Sequence, residues 1–187
     1  MNIFTYIVIV AFGFILVCYA LSKLYLLRHA MKLSDQHKER LLALAKQSLE
    51  SLDVPIGALL IYQNEIIGEG CNTVLRTSDA GGHAEMNAIS NAIQRLGMEQ
   101  FSALDRASLF LVTTFEPCLM CTGAFINYNI KNVYFFKEKD TLYLMKEVMR
   151  FIRYYFRRGK INHTGEQDVL FEQHPLYPHR KVNAAAE

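Results

Sequence analysis

No charged residue occurs before Lys23, and the run from Ile3 to Leu21, IFTYIVIVAFGFILVCYAL, is almost wholly apolar. Cys18-Tyr19-Ala20 would offer small residues for signal-peptide cleavage. The amino end nevertheless lacks the positive patch that opens a signal peptide, since the cations Lys23, Arg28 and Lys32 follow the run. At about 1.5 Å of rise per residue, a helix of this length reaches roughly the 30 Å of a bilayer's hydrocarbon core. The expectation is a retained single-pass membrane helix within residues 1–30, with the cations inside and the rest of the chain facing the cytoplasm.

A disulfide framework is also missing. Four cysteines, one of them inside the apolar run, are too few for one, and a reducing compartment would leave Cys118 and Cys121 free to bind a metal. Strong charge is missing as well: all 18 acidic residues follow Leu33, as do all but three of the 20 lysines and arginines, leaving that part near −1. Net charge alone therefore gives no reason to expect a nucleic-acid partner. Internal repeats and low-complexity linkers are absent, so the remainder reads as one α/β domain over 34–160 and a weakly patterned tail over 161–187.

Within that domain the spacing predicts a helix from Ser34, with Asp35 as its cap and Leu41, Leu42, Leu44, Ala45 and Leu49 along one face. Asp53, Pro55 and Gly57 end it. Ile56 to Ile61 and Glu65 to Asn72 read as a hairpin around Gln63-Asn64. His83 to Leu96 has helical spacing and is closed by Gly97, whereas SLFLVTT (108–114) suits a strand buried on both faces. A helix from Cys118, a strand from Val133 to Phe136 and a long helix from Thr141 to Arg158 complete the order.

Two short motifs carry chemistry. GHAEMNA places His83 two residues before Glu85 at the start of one helix, and PCLMC places Cys118 and Cys121 three apart at the start of another. That spacing sets both thiols on one face of a helical turn whose positive end favours thiolates. An imidazole and two sulfurs suit zinc better than magnesium or calcium, and three protein ligands leave a fourth corner open. On such a zinc a bound water falls to a pKa near 7 and becomes a hydroxide nucleophile, with Glu85 placed to shuttle its proton. H-x-E followed by P-C-x-x-C is the signature of zinc deaminases. A closed structural zinc would need a fourth ligand, for which Cys71 is the nearest candidate; a small buried side chain is its simpler reading.

VPIGALLI, IIGEGCN, HAEMNAI and TTFEPCLMCTGA together resemble the cytidine and deoxycytidylate deaminase superfamily over about Val54 to Phe136. Within it they are most similar to the branch of tRNA adenosine, guanine and fungal-type cytosine deaminases. The resemblance implies a three-layer α/β/α fold with a mixed sheet of about five strands, here preceded by one transmembrane helix. It also implies one zinc per chain on His83, Cys118 and Cys121, Glu85 as proton shuttle, and Asn72 with the Ala84 backbone NH as contacts to the substrate base. A homodimer is implied too. Asp79-Ala80-Gly81-Gly82 departs from the branch's usual Asp-Pro-Thr, and Phe115 stands where leucine is common.

Three functions are open at this point: deamination of a small nucleobase, nucleoside or nucleotide; editing of adenosine in tRNA; and a non-catalytic, membrane-tethered scaffold. The scaffold would be expected to lack a ligand or the shuttle, and none is lacking. The aromatic and arginine-rich helix from Thr141 could pack on the sheet, contact RNA, or meet an anionic membrane leaflet.

Overall fold

The computed structural model describes residues 31–159 and 166–174, together with positions 6, 13, 17, 20, 21 and 24. The expected membrane helix over 3–21 falls mostly outside these, and among the described residues no helix is long and apolar enough to cross a membrane. The chain divides into two compact units, Met1–Thr141 and Leu142–Glu187.

In the first unit, α1 (Asp35–Leu49) is capped by Ser34, whose hydroxyl accepts the His37 amide at 3.2 Å. Asp35, expected as the cap, is instead the first helical residue, where its charge still favours the positive helix end. The buried stripe is Leu41, Leu44, Ala45 and Ser48. Leu42 and Leu49, expected on that face, each lie one residue past an inward position, 41 and 48, and are exposed; at 48 the inward residue is Ser48, which donates its hydroxyl to the Ile56 carbonyl at 3.2 Å.

The hairpin forms as the sequence predicts. Gln63 and Asn64 both have positive φ, 50° and 68°, as a type I′ turn requires, joining β1 (Gly57–Tyr62) to β2 (Glu65–Cys71). A short helix α2 (Val74–Thr77), then α3 (Ala84–Leu96) and α4 (Met98–Ala103), lead to β3 (Leu109–Phe115). Helix α5 (Leu119–Asn127) and strand β4 (Asn132–Lys137) follow. β1 pairs antiparallel with both β2 and β3, and β3 pairs parallel with β4, giving the order β2-β1-β3-β4.

The sheet is mixed, as expected, but has four strands among the described residues, not five. After β4 the chain forms two helices, α6 (Thr141–Arg157) and α7 (Glu166–Gln173), both in the second unit. The period-2 alternation of a half-buried strand is absent from EQDVLFEQ, the segment that forms α7.

Two apolar clusters make the three layers. Leu41 and Leu44 of α1 meet Leu59, Ile61 and Val112 on one sheet face, while Ile89, Ala92, Cys121 and Phe125 meet Leu60 and Leu111 on the other. Helix α3 lies close on β2 because its inward side is a stripe of fully buried alanines, 84, 88 and 92, set against Gly68 and Gly70. A Cβ at Gly70 would stand 2.5 Å from the Ala88 amide nitrogen and press on the Ala84 carbonyl.

The segment before β1 is tied to α2. Thr73, at the N-cap of α2, makes no side-chain capping bond; the Asp53 carboxylate accepts the Leu75 amide at 2.6 Å and the Arg76 amide at 3.3 Å instead. Ser51 Oγ donates to the same carboxylate at 2.7 Å. Burial alone would raise the Asp53 carboxyl, but the bonds from Ser51, Leu75 and Arg76, with the charge of Arg76, more than offset it and hold it below the usual carboxylate range.

Two outcomes are expected. Gly70→Ala should lower the stability of the first unit by about 1–3 kcal/mol through overpacking, read as a shifted urea midpoint; an unchanged midpoint would show that α3 does not need the glycine. For Asp53, the depressed folded pKa means that its stabilisation is complete above the unfolded value of about 3.9. It is lost as pH falls through the folded pKa. Asp53→Asn should therefore unfold more easily than wild type at neutral pH, and the gap should close in acid; a gap independent of pH would rule out the carboxylate.

Candidate metal centre

The amino ends of α3 and α5 meet above the sheet. His83 is the N-cap of α3 and Cys118 the N-cap of α5, both in extended backbone, while Cys121 sits in the first turn of α5. Each helix thus begins one residue later than the sequence pattern predicts, at Ala84 and Leu119. As caps, His83 and Cys118 keep their side chains at the rim, free of any capping bond.

The three side chains converge. Cys118 Sγ lies 3.5 Å from His83 Nδ1, Cys121 Sγ lies 3.6 Å from the same nitrogen, and the two sulfurs are 3.7 Å apart. Zinc at about 2.3 Å from sulfur and about 2.0–2.1 Å from nitrogen, in tetrahedral geometry, requires S···S near 3.8 Å and S···N near 3.6 Å. The residues thus fit one zinc ion, held through Nδ1 of the imidazole. Among the described residues this is the one cluster of three metal-ligating side chains, and Cys71 is not part of it. Cys71 is buried at the end of β2, with Arg76 Nη2 3.7 Å from its sulfur.

The two thiols are electrostatically unlike. Cys118 is pushed down to about 5, first by the hydrogen bond it shares with Cys121, then by the Cys121 and Met120 amides at the helix end and by His83. Cys121 is pushed up by the bond it shares with Cys118, by its burial, and by the charge of Glu85. Glu85 is only 3% exposed; burial, reinforced by the negative Cys118 sulfur, raises its carboxyl above the ordinary range. A divalent ion would take the place of the proton that the two sulfurs contest.

Asn72 is buried just beyond β2. Its amide donates to the Val54 carbonyl at 3.3 Å and its oxygen accepts the Val74 amide at 3.4 Å, while its backbone NH bonds Ile56 at 3.0 Å. Ala84 is wholly buried as the first residue of α3. Between them the segment 78–82 is closed by Asp79, whose carboxylate accepts the Gly81 amide at 2.8 Å and whose carbonyl accepts that of Gly82 at 3.0 Å.

Sequence reasoning missed two fastenings. Asn87, one helical turn after His83, donates from Nδ2 to the Cys71 carbonyl at 2.8 Å and to Thr73 Oγ1 at 3.0 Å, with the Gly82 carbonyl 3.4 Å away. It ties the strand end that carries Asn72 to the segment that carries His83. An asparagine inside a helix whose interior disfavours it was the available signal. Lys139, buried after β4, donates from Nζ to the Pro117 carbonyl at 2.8 Å, and its amide donates to Glu116 at 2.8 Å, bracing the approach to Cys118. No periodicity marks that lysine.

Residues 31–137 match the family model for the cytidine and deoxycytidylate deaminase zinc-binding region. Curated relatives include tRNA-specific adenosine deaminases from Buchnera aphidicola, 38% identical over 46% of this chain and 54% of its own length, and from Aquifex aeolicus, 36% identical over 49% and 57%. The chain thus spans about half the length of the curated relatives it matches. The crystal structure of guanine deaminase from Bacillus subtilis superposes with a TM-score of 0.56 at 24% identity, covering 81% of this chain and 95% of that one, a likeness of fold. With the family match extending over more than half of the 187 residues, and its zinc-binding side chains found together at the two helix ends, the chain belongs to the cytidine and deoxycytidylate deaminase family.

Proposed function

We propose that the chain is a zinc-dependent hydrolase that deaminates an amino-substituted nucleobase, taken free or as a nucleoside or nucleotide. The supporting observation is the triangle of donors at 3.5, 3.6 and 3.7 Å with the buried Glu85 carboxyl beside it. Zinc held by His83, Cys118 and Cys121 would supply Lewis acidity at neutral pH. Glu85 is the proton carrier: it takes one proton from the attacking water and passes it to the ring nitrogen as oxygen adds to the carbon bearing the amino group, then takes the remaining hydroxyl proton from that carbon's oxygen and delivers it to the amino group as the C=O bond forms and the C–N bond breaks. Ammonia and the oxo-substituted ring are the products. A carboxyl raised by burial suits a group that must both accept and return a proton.

Asn72 and the Ala84 backbone NH are proposed to hold the base. For Asn72 this requires exchanging the long bonds to Val54 and Val74 for the substrate, which their lengths of 3.3 and 3.4 Å favour. A second reading, adenosine within tRNA, is supported by the 36–38% identity to tRNA-specific adenosine deaminases.

The full chain should carry about one zinc and release ammonia from at least one member of a panel of bases, nucleosides and tRNA. Glu85→Ala should retain the zinc and lose about 10²–10⁴-fold in turnover, whereas Cys121→Ser should lose the metal. Full activity in Glu85→Ala with zinc bound would sink the mechanism. Activity on tRNA that falls steeply with salt would favour the second reading, because release of phosphate counterions drives such binding, and turnover of a free base would not share that dependence.

We also propose a membrane location with the deaminase domain on the cytoplasmic side, from the apolar run 3–21 and the cations that follow it. A reporter fused after Glu187 should be protected in intact cells; its exposure to an external protease would reverse the orientation.

A further inference from the structure

Helix α6 carries two stripes. Leu142, Met145, Met149, Ile152 and Phe156 follow one line at helical spacing, exposed by 62, 55, 49, 39 and 83%. Beside them Lys146, Arg150, Arg153 and Arg157 follow a second, also exposed. The single acid between 142 and 158, Glu147, lies off the cationic line, so this segment carries +4 in a chain whose net charge is +2. Where the stripes meet, a shallow groove of about 340 Å³ is lined by Leu142, Met145 and Met149 alternating with Lys146, Arg150 and Arg153.

An occupant must therefore offer hydrocarbon and negative charge along one line of roughly 25 Å, the length of a 17-residue helix. Nucleic acid offers phosphate, and its bases stack on flat rings; it has no complement for leucine, methionine and isoleucine in a row. A second copy of the chain offers hydrocarbon but brings four more cations to the same seam. The boundary between acyl chains and anionic headgroups offers both, at adjacent depths, and the long basic side chains can reach the headgroups while their stems remain in the apolar layer. Tyr155, with the Arg158 guanidinium 3.5 Å over its ring, adds an aromatic of the kind favoured at that boundary.

We propose that α6 lies in the plane of an anionic lipid surface, with its methionine and leucine stripe in the acyl boundary and Lys146, Arg150, Arg153 and Arg157 on the headgroups. This assignment does not depend on the reaction catalysed, nor on whether residues 3–21 insert in a bilayer.

The chain contains no tryptophan, so Phe156→Trp in the full protein places a sole tryptophan, excited selectively beside the ten tyrosines, on the stripe. Phosphatidylcholine vesicles containing phosphatidylserine should shift its emission to the blue and allow quenching by brominated acyl chains; pure phosphatidylcholine should do so far less. Adding Arg150→Glu and Arg153→Glu should weaken the effect by more than about tenfold. The proposal fails if the anionic vesicles give no shift, if both vesicle types act alike, or if the charge reversals change nothing. It also fails if a shift appears in buffer and grows with protein concentration, the mark of a second copy, or with tRNA in place of lipid.

Discussion

Everything at the metal centre depends on how closely α3 can approach β2. Layers packed through ordinary side chains stand well apart, about 10 Å for two stacked sheets, but here Ala84, Ala88 and Ala92 face Gly68 and Gly70, and the two backbones are separated by little more than hydrogens. That approach fixes the height of the helix end, and with it His83. β1 and β3, buried on both faces, hold β2 and β4 in a single plane, so α5, which follows β3, meets α3 at the same level. Metal ligands borne by two different helices can converge within 3.7 Å only if both helices are registered against one sheet in this way.

The electrostatics of the centre follow from that meeting. Two helix amino ends, each with unsatisfied amides, point at one small volume and favour negative charge there. Into it the chain puts two thiols and a buried carboxyl, more negative charge than the helix ends can balance. The conflict appears as Cys118 driven down while Cys121 and Glu85 are driven up. A divalent cation would resolve it, because both sulfurs could then be thiolates.

Much of this was legible in the sequence because the decisive signals are local. Gln63-Asn64 marks the hairpin, the continuous apolar run SLFLVTT marks the second central strand, and H-x-E with P-C-x-x-C marks the metal donors. What was not legible is what side chains do at a distance. Ser48, not Leu49, takes the last inward position of α1, and its hydroxyl serves the Ile56 carbonyl, a bond invisible to periodicity. Ser34 rather than Asp35 caps α1 because the cap is chosen by which oxygen reaches the third amide. Asn87 and Lys139 act on residues 16 and 22 positions away, and no short pattern encodes such pairings. The fifth strand was expected from family resemblance, and that resemblance fades after Phe136, where the second unit begins a few residues later.

The glycine-rich segment before His83 is fastened despite its composition. Gly81 and Gly82 by themselves give the backbone freedom. Asp79 removes much of that freedom, accepting two amides within three residues. Gly82 is also needed for a different reason: a Cβ there would stand 2.7 Å from Thr73 Oγ1, in the space through which Thr73 and Asn87 bind the segment to α3. The absence of a side chain at 82 lets the loop be fastened from within, so its glycines serve close packing more than motion. His83 is thereby held from both sides, by the turn that precedes it and by the helix that it caps. The approach to Cys118 is held in the same way by Glu116 and Lys139. A centre braced beside His83 and ahead of Cys118 holds its donors to one geometry through contacts that the donors themselves do not make.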